Sequence, residues 1–121
     1  MIETEGLTHI HLVVQDMARS LRFYQDVFGM NELFREGDDL VFLNTPGSSD
    51  TITLNASGDP ATAGTSGGVE HFGFRLREGA DLDDAIKQIE AAGGSLVRRG
   101  EHAPGIAFAY VRDPDGYEIE L

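Results

Sequence analysis

The residue types alternate along positions 7–14. In an extended chain, Ile10, Leu12 and Val14 lie on one side, and His9, His11 and Val13 lie on the other. A period of two predicts a strand with one apolar face. Asp16 then stands where a helix N-cap is expected, and apolar residues recur at helical spacing up to Gly29, which suits a helix C-terminus. Apolar runs separated by polar, glycine-containing turns predict further strands at 32–35, 40–43 and 51–54.

The second half of the chain repeats this order. Alternation predicts a strand over about 69–76, and Asp81 is placed to cap a helix that ends at Gly93-Gly94. Three more strands are predicted near 95–98, 106–111 and 117–121. Each half therefore reads as strand, helix and then three strands.

Two short segments support a duplication. Residues 8–14 and 70–76 resemble each other, each follows a glycine and an apolar residue (Gly6-Leu7 and Gly68-Val69), and their first histidines lie 62 positions apart. A duplicated unit folds into two similar halves that bury their apolar faces against each other. We predict an α+β fold in one domain, with βαβββ modules over about 6–55 and 68–121 and a connector over 55–68 that is rich in Gly, Ala, Ser and Thr.

The repeat also predicts a metal site. His9 and His71 occupy the same place in the two copies, so that they can meet across a pseudo-two-fold axis. When the last strands are aligned, Thr53 of the first copy falls opposite Glu120 of the second. Two imidazoles and one carboxylate make a ligand set for a divalent cation, whereas a hydroxyl binds most metals weakly.

Composition narrows the range of partners. Nine basic and 21 acidic residues among 121 give a formal net charge of −12, which disfavours nucleic acid and anionic membrane surfaces. The chain has no cysteine, and therefore no disulfides or thiolate ligands. The acidic N-terminus lacks the features of a signal peptide, and no apolar run is long enough for a membrane helix, so we expect a cytoplasmic protein.

Four motifs in order resemble the vicinal oxygen chelate superfamily, which includes glyoxalase I, extradiol dioxygenases, fosfomycin-resistance transferases and bleomycin-resistance proteins. They are Thr8-His9-Ile10, Ser20-Leu21-Arg22-Phe23-Tyr24 with Gly29, Glu70-His71-Phe72, and the run from Asp113 to Leu121. The resemblance spans nearly the whole chain. It implies paired βαβββ modules whose mixed sheets curl into a cup, with helices outside, a divalent metal inside and a homodimer as the assembled state.

By position, the resemblance assigns the metal ligands to His9, His71 and Glu120, and it selects Glu120 over Glu118, which shares its face of the strand. The metal itself (Fe, Mn, Ni, Co or Zn) stays open. Glyoxalase I carries Glu or Gln where this chain has Thr53, so the resemblance favours a dioxygenase-like enzyme that binds a small substrate through adjacent oxygens. A glyoxalase I-like lyase, a thiol transferase and a non-catalytic protein that binds a drug or metabolite remain alternatives.

Four further residues are candidates for the site. His11 shares a face with His9 and is expected to line the cup or carry protons, with a role as a fourth ligand as the alternative. Tyr110 either faces the substrate or packs in the core, and His102 is expected on a loop over the cup, as an acid or base or simply exposed. Arg75 either holds an anionic group of the substrate or pairs with a surface carboxylate.

Overall fold

The computed structural model describes residues 1–121 except Ile2, Thr4, Gly6, Ser66 and Gly68. The elements, in chain order, are β1 (Ile10–Val13), α1 (Met17–Phe28), β2 (Asn31–Glu36), β3 (Leu40–Asn44), β4 (Ile52–Asn55), a 3-10 helix (Pro60–Thr62), β5 (Phe72–Gly73), α2 (Leu82–Ala91), β6 (Ser95–Ala103), β7 (Ile106–Arg112) and β8 (Glu118–Glu120). Gly6 and Gly68, which supported the repeat, lie outside the described residues, and the module boundaries stay a prediction.

Both helices begin where their caps predict. The Asp16 side chain accepts a hydrogen bond from the Arg19 backbone N–H, and Gly29 ends α1 in the left-handed region at φ 64°. Asp81 caps α2 by accepting from the backbone N–H groups of Asp83 and Asp84. These local interactions satisfy donors that the first turn of a helix cannot satisfy itself.

The strands form two four-stranded mixed sheets, in the orders β1-β4-β3-β2 and β5-β8-β7-β6. In each sheet the first strand of the half runs parallel to the last, and the other pairs are antiparallel. Neither sheet closes on itself. The predicted α+β fold with two equivalent sheets is therefore confirmed.

The register of the two parallel pairs is the same. His11 lies opposite Thr53 in the first sheet, and Gly73 lies opposite Glu120 in the second. The backbone pairing therefore makes Thr53 and Glu120 equivalent positions in the two halves, as the sequence alignment had them. Equivalent positions in the two halves carry very different chemistry.

The core draws on both halves. Apolar side chains of both helices and both sheets form one buried cluster, and the Phe28 and Phe74 rings stack at 4.0 Å between their centroids. Few polar residues are buried with them, among them Ser20, Thr53 and Asp113. Among the described residues, no helix has the length and apolar character needed to cross a membrane.

The sequence prediction misplaced one candidate. His102 does not lie on a loop, because β6 continues to Ala103 and pairs with β7 along most of its length. The chain reverses at Pro104-Gly105, where Gly105 has φ 80°. A two-residue turn lets both strands extend to the tip, so polar residues predicted as a loop become an exposed strand. The first strand of each half is also shorter than alternation predicted.

Candidate metal and substrate site

Glu120 lies between two histidines on the open face of the second sheet. Its Oε2 is 3.2 Å from His71 Nε2, and its Oε1 is 2.7 Å from His102 Nε2. The Glu120 and His71 side chains are about one quarter exposed, at 27% and 28%. Two of the three predicted ligands are therefore neighbours.

Backbone pairing places these groups. β8 lies between β5 and β7, so Glu120 is opposite Gly73 on one side and Tyr110 on the other. A Cβ atom at Gly73 would lie 3.1 Å from the Glu120 carbonyl oxygen, and glycine therefore relieves crowding beside Glu120. The Tyr110 ring meets the His71 ring edge to face at 4.9 Å, which fixes the imidazole from its other side.

The electrostatics keep Glu120 ionised. The hydrogen bond with His102 holds the pKa of Glu120 below its usual value, and the nearby charges of His102 and His71 and a hydrogen bond with Tyr110 act in the same direction. Burial raises the pKa of Tyr110, and the negative charge of Glu120 raises it further. At neutral pH the site thus contains a carboxylate and a protonated phenol.

The donor geometry of His71 and Glu120 fits a divalent metal. Two ligand atoms about 2.1 Å from an octahedral metal, at right angles to each other, lie roughly 3.0 Å apart. The observed 3.2 Å between His71 Nε2 and Glu120 Oε2 is close to that spacing. His71 Nδ1 is buried without a hydrogen-bond partner among the described residues, so Nε2 is the nitrogen that faces the carboxylate.

His9 is not part of this cluster in one chain. It is exposed, and its Nδ1 lies 2.9 Å from the Thr8 hydroxyl. Within the described part of the chain, no group of three or more histidine, aspartate or glutamate side chains is arranged to hold a metal ion. One chain therefore supplies the His71–Glu120 pair, and the role of His9 stays a prediction.

His11 and Thr53 occupy the equivalent place in the first half. Thr53 is fully buried, and its hydroxyl has no hydrogen-bond partner among the described residues. His11 is exposed and lines a groove of about 690 Å³ that also reaches His71 and Glu118. The first half thus offers no carboxylate at the ligand position, although His11 borders the space beside His71.

Aromatic side chains form the wall of the site beyond Glu120. Tyr110 and Phe108 both lie on the open face of β7, with exposed fractions of 7% and 9%. His102 stacks on Phe108 with 4.4 Å between ring centroids, and the Arg98 guanidinium lies 4.2 Å from the centre of the Tyr110 ring. Sequence reasoning missed Arg98, because its position over Tyr110 depends on the irregular register of the β6–β7 hairpin.

The turn that precedes β8 fixes the end of the chain to the first half. One Asp113 carboxylate oxygen accepts from the backbone N–H groups of residues 115, 116 and 117, and the other accepts from the Tyr24 hydroxyl at 2.9 Å. Burial raises the pKa of Asp113, whereas these hydrogen bonds lower it. The turn therefore depends on a buried carboxylate that is satisfied on both oxygens.

Asp115 makes a second link from the same turn. Its side chain is fully buried, pairs with Arg19 at 2.8 Å and accepts from the Ser20 hydroxyl at 2.9 Å. It also accepts from the backbone N–H of Gln15. The run from Asp113 to Leu121 was notable in the sequence as a motif of the resemblance. The sequence did not indicate that both aspartates bind α1 or the segment just before it.

Comparisons with known proteins agree with the fold. The family model described as the Glyoxalase/Bleomycin resistance protein/Dioxygenase superfamily matches residues 6–121. A lactoylglutathione lyase of Haemophilus influenzae is 32% identical over 127 residues, covering 95% of this chain and 90% of the lyase. A manganese-dependent 2,3-dihydroxybiphenyl 1,2-dioxygenase of Geobacillus genomosp. 3 is 29% identical over 116 residues, and the match spans 93% of this chain but only 35% of the dioxygenase.

Solved structures give the same result. The fosfomycin resistance protein FosX of Listeria monocytogenes superposes with a TM-score of 0.78 at 25% identity, over 98% of this chain and 90% of FosX. A FosX variant in complex with Mn(II) and 1S,2S-dihydroxypropylphosphonic acid gives a TM-score of 0.75 at 25% identity, with coverage of 98% and 90%.

Proposed function

Because this chain belongs to the glyoxalase/bleomycin resistance protein/dioxygenase superfamily, we propose that it is a divalent-metal-dependent enzyme. It acts on a small substrate that carries two adjacent oxygens, and His9, His71 and Glu120 hold the metal. The observation that carries this proposal is the His71–Glu120 pair, whose donor atoms lie 3.2 Å apart.

The ligand set favours a particular reaction. Two histidines and one carboxylate leave several metal positions open, and this arrangement is typical of non-haem oxygenases. When bound, the metal would act as a Lewis acid on the adjacent oxygens of the substrate. Thr53 offers no fourth carboxylate, so oxygen-dependent cleavage of a catechol-like ring is the first reaction to test, ahead of isomerisation and thiol addition.

Two relatives make manganese the first metal to test. The dioxygenase of Geobacillus is manganese-dependent by name, and the FosX complex contains Mn(II) with a vicinal diol. In the present chain, the protonated Tyr110 faces the same carboxylate as His71 and is placed to donate to a bound oxygen. His102 contacts the other oxygen of Glu120 and serves as the candidate acid or base, with His11 at the border of the groove.

The site is assembled from two copies of the chain. His9 is exposed, and within the described part of one chain no three such side chains are arranged to hold a metal, so a second protomer is the source of the third ligand. In a two-fold dimer, His9 of each protomer would complete the pair of its partner, and two equivalent sites would result.

Metal analysis tests the proposal directly. Protein purified without chelators is expected to contain Mn, Fe, Co, Ni or Zn, and the metal-free protein is expected to bind Mn²⁺ at one site per chain by calorimetry. H9A and H71A should each lose this binding, whereas H11A serves as a control that keeps it. Absence of both bound metal and tight Mn²⁺ binding would contradict the proposal.

Mixing variants tests the shared site. H9A and E120Q homodimers should each fail to bind Mn²⁺ tightly, because every site in them lacks one ligand. After equal mixing and exchange of subunits, about one quarter of the sites should regain all three ligands if they are shared across the dimer. A site within one chain would show no recovery.

One observation favours a second function, the binding of a cationic drug or metabolite without catalysis. Both oxygens of Glu120 already contact histidines in one chain, and the chain has a net charge of −12. This function predicts that H9A leaves the affinity for a cationic ligand such as bleomycin intact in the absence of added metal. Loss of that affinity in H9A would exclude it.

A further inference from the structure

We infer that Arg98 is an anion-binding residue of this site, and that the substrate carries a carboxylate or a similar acidic group beside its chelating oxygens. The inference rests on the proposed function and adds the class of substrate to it. Arg98 lies on β6, opposite Tyr110 of β7, and Tyr110 lies opposite Glu120 of β8. The three side chains therefore follow each other across three neighbouring strands.

This alignment sets a distance between the anion site and the metal ligand. Neighbouring strands lie about 4.8 Å apart, so the backbone positions of Arg98 and Glu120 are separated by roughly 10 Å. The guanidinium reaches back over the Tyr110 ring, at 4.2 Å from its centre. Arg98 and Glu120 therefore flank Tyr110, one on each neighbouring strand.

Arg98 is held in place without the use of its hydrogen-bond donors. The guanidinium also lies 5.3 Å from the centre of the Phe108 ring, so two aromatic faces attract its charge. Within the described part of the chain, Arg98 forms no ion pair, and its side chain donates no hydrogen bond. The N–H groups of the guanidinium are thus held in one orientation and remain available, which favours bidentate binding of a carboxylate.

Gly100 permits this arrangement. A Cβ atom at residue 100 would lie 2.9 Å from Phe108 Cζ, so the ring crosses β6 where no side chain obstructs it. From there Phe108 contacts Arg98 on one side and stacks on His102 on the other. The aromatic wall therefore separates the cationic group from the histidine that contacts Glu120.

The next residue provides a matched control. Arg99 pairs with Asp83 of α2 and thus lies on the opposite face of the sheet from Tyr110. R98M and R99M each remove one positive charge from adjacent positions of one strand, and the methionine at 98 keeps an apolar stem over the ring. A general effect of charge would change both variants alike, whereas a local anion site would change only R98M.

The experiment measures affinity rather than turnover. Calorimetry on the Mn²⁺-loaded protein compares catechol with 3,4-dihydroxybenzoate, which adds one carboxylate to the same chelating diol. Wild type and R99M should bind the acid about tenfold more tightly, in line with a charge-assisted pair. R98M should bind the two compounds equally, with its catechol and Mn²⁺ affinities unchanged.

A metal-free arm separates this inference from the proposed function. Chemical-shift titrations of the metal-free protein compare benzoate with benzamide, and the acid should be preferred by wild type and R99M but not by R98M. If Mn²⁺ fails to bind but this preference holds, the metal proposal fails and the anion site stands. If R98M keeps the preference in either state, or if wild type shows none in both, the inference about Arg98 is wrong.

Discussion

The two halves of this molecule share one backbone plan but differ at the positions that matter for chemistry. In the second half, Gly73 opposes Glu120, and the carboxylate contacts His71 and His102. In the first half, the equivalent pair is His11 and Thr53, and the buried hydroxyl has no partner among the described residues. The backbone plan thus occurs twice, whereas the carboxylate at this register occurs only in the second half.

The largest expected effect comes from removing that carboxylate, the proposed metal ligand. E120Q keeps the shape of the side chain but replaces the charged oxygen, and it should reduce Mn²⁺ affinity by more than about 100-fold, since loss of even an outer-shell partner costs 10–100-fold. Calorimetric titration of Mn²⁺ measures it. T53V changes the equivalent residue of the first half and should leave the affinity unchanged; equal losses in both variants would contradict the comparison.

The turns that precede the last strands of the two halves should also differ. D115A removes a buried carboxylate that binds Arg19 and the Ser20 hydroxyl, and it should lower the free energy of unfolding by about 2–3 kcal/mol, because the buried Ser20 hydroxyl and the partly exposed Arg19 guanidinium lose their acceptor. Among the described residues, the Asp50 side chain of the first half accepts only from the backbone N–H and the hydroxyl of Thr45, so D50A should cost about 1 kcal/mol. Urea unfolding measures both, and a larger loss in D50A would reverse the interpretation.

The link between Tyr24 and Asp113 gives a prediction about pH. Y24F removes a hydrogen bond that lowers the pKa of Asp113, whose pKa is raised overall by burial, and it should cost about 1–2 kcal/mol at pH 7. A raised pKa in the folded state means that stability is greatest when the group is protonated and is lost as pH rises through the folded pKa.

In Y24F, stability should fall further as the pH rises, because the pKa of Asp113 is raised more when the Tyr24 hydroxyl is absent. The difference in stability between Y24F and wild type should therefore be larger at pH 7 than at pH 3, as thermal unfolding at both values would reveal. Y117F is a suitable control, because its hydroxyl donates to the Val13 carbonyl rather than to Asp113. A difference that grows toward acid pH would contradict the assignment.

The smallest expected effect concerns the unused position itself. T53V replaces a fully buried hydroxyl without a partner by a methyl group of similar shape, so it should raise the free energy of unfolding by about 1 kcal/mol. A thermal shift of a few degrees would be measurable. Destabilisation of the same size would indicate that the hydroxyl contributes to the fold after all.

Sequence reasoning succeeded where the determinants are local. The caps at Asp16 and Asp81 and the C-terminal Gly29 act within a few residues, and both helices begin as predicted. Alternation located the strands, but it extended β1 and β5 beyond their paired residues, because pairing depends on the length of the partner strand.

The candidate site was predictable only in part. The repeat and the resemblance singled out His71 and Glu120, which lie together. They also singled out His9, whose role as a ligand stays a prediction. His102 was expected on a loop, because the residues near it are polar and do not alternate. The short turn at Pro104-Gly105 nevertheless lets β6 continue to Ala103. Arg98 could not be found, because its contact with Tyr110 arises only from strand register.

The repeated register has an evolutionary consequence. The last strand of each half has the same register, so a change at position 53 leaves the carboxylate of Glu120 in place. Thr53 is paired with the first strand of its half as Glu120 is with the first strand of the other. An acidic side chain at position 53 would therefore take the backbone position that Glu120 has in the second half. New chemistry in such a protein can therefore begin with a point mutation rather than with a new backbone.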